Sequence, residues 1–108
     1  MSKTIRLTTA QALVRFLAAQ VTMIDGVKTP VFAGVWAIFG HGNVAALGEA
    51  LYQVRDVLPT YRGQNEQSMA LSAIAYTKAT NRRRIMAATT SIGPGALNMV
   101  TAAAVAHV

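Results

Sequence analysis

Hydrophobic positions along the chain change period several times, and each change marks a predicted element. Behind Thr8 and Gln11, which have capping-box spacing, Leu13, Phe16, Leu17, Val21 and Ile24 recur at helical intervals. The first helix is therefore predicted from about Thr9 to Val21. Asp25-Gly26 reads as its stop and Lys28-Thr29-Pro30 as a connecting loop. Val35-Trp36-Ala37-Ile38-Phe39 is a continuous apolar run of strand length, which suits a parallel strand covered on both faces. It ends in Gly40-His41-Gly42-Asn43, where Asn43 has the chemistry of an N-cap for a helix carrying Val44, Leu47, Leu51 and Val54.

The same plan repeats twice. Val57 to Arg62 is a second strand candidate, with Pro59 placing it near an edge. Gly63-Gln64-Asn65 then turns into a helix beginning around Glu66. Met69, Ala70, Ala73 and Ile74 line one side of it, and Leu71 and Ala75 the other, so burial on more than one side is expected. Ile85 to Thr89 is the third strand, followed by Thr90-Ser91-Ile92-Gly93-Pro94-Gly95. Pro94 is pre-organised for helix entry, and Leu97, Val100, Thr101, Ala104, Val105 and Val108 mark the predicted buried face beyond it.

Three strand-turn-helix units predict an α/β fold: a doubly wound parallel sheet with right-handed crossovers and helices on both faces. Its loops at the strand C-terminal ends, 40 to 43, 62 to 66 and 90 to 95, form the predicted ligand edge. The last helix reaches Val108 without the strand its crossover should feed. The expectation is a truncated domain over residues 1–108, with about three strands and four helices, prone to self-association through an open sheet edge.

Composition narrows the function. With 53% hydrophobic and 13% charged residues in 108, the chain suits one domain with a real core. The formal charge of +6 suggests an anionic partner. Yet the cations are dispersed except at Arg82-Arg83-Arg84, which reads as a solvated helix cap, and no aromatic residues interleave with them. No nucleic-acid partner is indicated. Cysteine is absent, which removes disulfides, thiolate nucleophiles and cysteine-based zinc sites, and His41 and His107 form no metal-ligand pair. No run is long enough to span a membrane and no signal peptide is legible, so a cytoplasmic protein is expected.

Four features carry candidate chemistry. Gly40-x-Gly42-x-x-Ala45 fits the loose dinucleotide fingerprint, with Arg62 where that fingerprint has an acid, as an NADP site would prefer; a tight packing turn explains the glycines equally. His41 is either a hydrogen-bonded loop residue or a catalyst. Gly93-Pro94-Gly95 is either a bare helix entry or a set of backbone donors. Glu66 is either a favourable charge at a helix N-terminus or a partly desolvated carboxyl of raised pKa, suited to proton exchange with a ring nitrogen.

Phe39-Gly40 at a strand end, Arg62-x-x-Asn65-Glu66-Gln67 before an alanine-rich helix, and Thr90-Ser91-Ile92-Gly93-Pro94-Gly95-Ala96-x-Asn98 occur in an order that is familiar. Together they resemble the pyrimidine-binding domain of thiamine-diphosphate enzymes, the group of acetolactate synthase and pyruvate decarboxylase. His41-Gly42-Asn43, the extra Ile92 and the opening Arg6-Leu7-Thr8-Thr9-Ala10-Gln11-Ala12-Leu13 resemble a branch that opens a cyclic polyol diketone in myo-inositol breakdown.

The resemblance implies that Glu66 hydrogen-bonds the pyrimidine ring of thiamine diphosphate and promotes loss of the thiazolium C2 proton. It also implies that Gly40, His41, Gly42, Asn43, Ser91, Gly93, Pro94, Gly95 and Asn98 surround the cofactor. The diphosphate and its Mg2+ would be held by a further domain with a Gly-Asp-Gly motif, which this chain lacks. The cofactor would lie between subunits of a homodimer or homotetramer, leaving this segment inactive alone. A 2-keto acid decarboxylase or acetolactate synthase-like enzyme is the near alternative. An NADP-binding module and a non-catalytic interaction domain are the distant ones.

Overall fold

The computed structural model describes residues 3–108. Helix α1 (Thr9–Ala19) begins with the expected capping box: the Gln11 N–H donates to Thr8 Oγ1 at 3.1 Å, and the Thr8 N–H donates to Gln11 Oε1 at 2.9 Å. It ends earlier than the periodicity predicts. Val21–Ile24 (β1) and Val27–Pro30 (β2) form an antiparallel hairpin around Asp25 and Gly26, whose φ values are 49° and 79°. Asp-Gly between β-branched residues is a tight hairpin turn with two left-handed positions, not a helix stop followed by a loop.

The main sheet contains β3 (Phe32–Ala37), β4 (Thr60–Arg62) and β5 (Ile85–Thr89), all parallel, in the order β4-β3-β5. β3 starts earlier than expected and stops at Ala37. β4 is short because the Val57 and Leu58 N–H groups turn back to the Val54 carbonyl at 2.9 and 2.8 Å, which takes them out of the ladder. A π-helical turn, Val44–Gly48, leads into α2 (Glu49–Gln53) between β3 and β4. Helix α3 (Glu66–Ala79) returns across β3 to β5. The two crossovers travel in opposite directions, so right-handed connections place their helices on opposite faces.

Each face has its own core. Val14, Val35, Ala37, Ala50, Leu51 and Leu58 pack together from α1, β3, α2 and the turn before β4. On the other side α3 buries Met69, Ala70 and Ala73, and it packs against β5 and a C-terminal helix that buries Ala102. The outer side of α3 is open, with Leu71 and Ala75 exposed, so this helix is buried on one side only.

The predicted fourth helix is broken into α4 (Gly93–Leu97) and α5 (Val100–His107) at Asn98 and Met99. The break re-phases the helix. All six residues predicted to be buried there are exposed, including Leu97 at 73% and Val100 at 61%, while Gly95 and Ala102 face inward. The arginine triplet is likewise more than a solvated cap. The Arg82 N–H closes the end of α3 on the Thr77 carbonyl at 2.8 Å, and Arg83 pairs with Asp25 at 3.1 Å at the hairpin tip. The Arg84 guanidinium donates to the Pro30 carbonyl at 2.9 Å and ties β2 to the start of β5.

Leu58 is 0% exposed and its neighbour Val57 is 66% exposed. Leu58→Ala should therefore cost about 2–5 kcal/mol in denaturant unfolding. Val57→Ala should stay within about 0.5 kcal/mol of the parent.

Candidate functional site

The strand register places Ala37, Arg62 and Thr89 side by side, so the loops after all three strands leave the sheet from one edge. In the middle loop, Asn65 Oδ1 accepts the Ser68 N–H at 3.0 Å and caps α3. That cap makes Glu66 the first residue of the helix, half-buried and turned toward the third loop.

The third loop holds both carboxylate oxygens. Ser91 Oγ donates to Glu66 Oε1 at 3.3 Å, and Asn98 Nδ2 donates to Oε2 at 3.2 Å. Gly95 makes this approach possible, since a Cβ there would stand 2.5 Å from Ser91 Oγ and 2.6 Å from Glu66 Oε1. The first loop closes on the third as well. Asn43 Nδ2 donates to the Thr90 carbonyl at 2.9 Å, and a Cβ on Gly40 would lie 2.9 Å from Ser91 Cβ.

The electrostatics of Glu66 differ from the expectation. Its pKa is lowered, first by the backbone N–H of its own position at the helix start and then by the Asn98 amide. Burial opposes the shift, and the Ser91 hydroxyl adds to it. The raised pKa expected from desolvation is therefore overturned, because three donors that favour the anion outweigh a partial loss of water.

Of the predicted site residues, Gly40, Asn43, Glu66, Ser91, Gly95 and Asn98 come together in this network. His41 and Gly42 lie exposed on the first loop, and Gly93 and Pro94 are exposed at the start of α4. Asn43 does not cap a helix: its backbone is already helical and its amide is used by Thr90. The glycine turn opens onto a π-helical turn, without the regular helix N-terminus that a pyrophosphate site uses. Among the described residues no cluster of three His, Asp or Glu side chains could hold a metal ion, and no helix is long and apolar enough to cross a membrane.

No family model matches the chain. Curated relatives do, over nearly all of it. A 3D-(3,5/4)-trihydroxycyclohexane-1,2-dione hydrolase from Geobacillus thermodenitrificans is 57% identical over 103 residues, 95% of this chain and 16% of the relative. The proteins of the same name from Listeria monocytogenes and Bacillus subtilis are 54% and 53% identical, over 96% and 98% of this chain and 16% and 17% of their own lengths. Over nearly its whole length the chain is similar to a part of these hydrolases. It spans about one sixth of the length of the hydrolases it matches.

Two results follow from the Glu66 network. Gly95→Ala should displace the carboxylate from Ser91 and move the Glu66 titration upward, read from a carboxyl signal that disappears in Glu66→Gln. Because the folded pKa lies below the ordinary value of 4.5, the stabilisation from these bonds is present above that value and lost as pH falls through the folded one. The stability margin of the parent over Glu66→Gln should therefore be level at neutral pH and shrink in acid, as measured by denaturant unfolding across pH.

Proposed function

We propose that this chain is the N-terminal part of a thiamine-diphosphate-dependent enzyme that hydrolyses the ring carbon–carbon bond of trihydroxycyclohexane-1,2-dione in myo-inositol breakdown. The observation that carries the reading is the half-buried Glu66 carboxylate, held at the strand-end edge by Ser91 and Asn98 beside the side-chain-free surface of Gly95. The name and high identity of the relatives support the substrate.

The residues present fit the pyrimidine end of such a cofactor. A carboxylate offers about four acceptor positions, and the helix-start N–H, the Asn98 amide and the Ser91 hydroxyl use three of those on Glu66. The remaining one is open to a ring nitrogen, and a carboxylate kept anionic stabilises a proton on a nitrogen beside it. When bound, thiamine diphosphate supplies the nucleophilic carbon that permits cleavage of a bond next to a carbonyl.

Glu66 holds the proton relationship at the ring, and Gly40 and Gly95 keep the loops close enough for Ser91 to reach it. The polar role toward a polyol expected of His41 and Asn43 would fall to His41, which is exposed on the first loop, since the Asn43 amide is held by the Thr90 carbonyl. Diphosphate and Mg2+ fall to a domain outside residues 1–108, which form part of the pyrimidine-binding domain. Two subunits would share the site in a cytoplasmic homo-oligomer.

In the full-length protein, Glu66→Gln should slow hydrogen–deuterium exchange at C2 of bound thiamine diphosphate by about 10²- to 10⁴-fold, the range for a positioned acid–base group. An unchanged exchange rate would show that Glu66 does not serve the cofactor.

A further inference from the structure

The break between α4 and α5 departs from the uninterrupted helix that the local hydrophobic pattern predicts. Its consequence is that Asn98 sits at the end of α4 with its amide on Glu66 Oε2, while Ser91, just before the start of α4, takes Oε1. The two donors are seven positions apart, yet they reach opposite oxygens of one carboxylate. A bond to each oxygen fixes the plane of the group, whereas one bond would leave it free to rotate.

The loop that carries these donors is itself anchored. Asn43 holds the Thr90 carbonyl at 2.9 Å, Thr90 Oγ1 donates to the Ser91 carbonyl at 2.6 Å, and Gly40 abuts Ser91 Cβ. An amide already donating to a protein oxygen has less to offer a ligand.

We propose that Asn98, with Ser91, is a positioning residue that orients the Glu66 carboxylate, and that Asn43 sets the position of Ser91 through the Thr90 carbonyl. Asn43, Ser91 and Asn98 thereby act on the cofactor through Glu66 and not by contact with it. This assignment rests on the function proposed above only for its catalytic consequence. The geometry belongs to the chain itself.

Hydrogen bonds and burial account for the Glu66 shift, with no charged side chain among its causes. Removing a donor should therefore be legible in the titration of this one group. The test uses the full-length protein without cofactor, with 13C-labelled glutamate followed by infrared difference spectroscopy and the signal assigned by its loss in Glu66→Gln. Asn98→Ala should raise the Glu66 titration. Asn98→Asp, which keeps the side-chain shape but replaces the donor with a second carboxylate, should raise it further.

A role in packing alone predicts that Asn98→Leu, which keeps the approximate side-chain shape but has neither donor nor charge, titrates like the parent, and that outcome overturns the proposal even if Asn98→Ala fails to fold. Loaded with thiamine diphosphate, Asn98→Ala should exchange the C2 proton about 10- to 100-fold more slowly, the loss expected for one hydrogen bond to a charged group. If the titration moves as stated while neither Glu66→Gln nor Asn98→Ala changes C2 exchange, the orienting role stands and the thiamine reading fails.

Discussion

Because β3 pairs in parallel with β4 on one side and β5 on the other, Ala37, Arg62 and Thr89 are forced level with one another. The candidate site depends on that alignment. Loops leaving one strand edge can meet only if the strands end together, and here they meet closely enough for Gly40, Glu66, Ser91 and Gly95 to share one contact region. A slip of one residue would turn each strand over and move the loop starts by a residue's length along the sheet. The core between β3 and the α1–α2 layer opposes such a slip, since it would expose Val35 and Ala37.

The glycines at the edge are constrained by this convergence. At Gly95 the obstruction to a larger residue is the Ser91 hydroxyl and the Glu66 carboxylate. Gly40 is in a similar position against Ser91. Neither resembles Gly42, whose φ of 84° requires left-handed backbone while nothing stands near its absent Cβ. Two different physical reasons therefore put glycine into what looks, in the sequence, like one turn-forming pattern.

Most of the parallel sheet was legible in the sequence because a covered strand leaves an apolar run bounded by glycine, and Ile85 to Thr89 was read with its correct limits. Glu66 and the loop facing it were legible from their order along the chain. Three things were not. The hairpin over Val21–Pro30 was concealed because helical spacing continued through Val21 and Ile24, although Asp25-Gly26 between β-branched residues is the stronger local signal. The outward phase of α5 depends on a two-residue break that no glycine or proline announces. The pKa of Glu66 depends on donors 25 and 32 positions away, and periodicity carries no information about such a pairing.

That pairing also bears on how the carboxylate behaves within a larger protein. Any further surface laid over the strand-end edge removes water from Glu66, and desolvation alone pushes a carboxyl toward its neutral form. The donors that oppose this effect, the helix-start N–H, the Asn98 amide and the Ser91 hydroxyl, all come from this chain and are fixed before any covering arrives. Hydrogen bonds to a charge strengthen as the surrounding dielectric falls. Covering the edge therefore increases both the penalty on the anion and the grip of the groups that hold it. Under the proposed function Glu66 would stabilise a proton on a neighbouring ring nitrogen, and that balance would matter more than a pKa raised by burial, because a neutral carboxylic acid would lose the charge that draws the proton there.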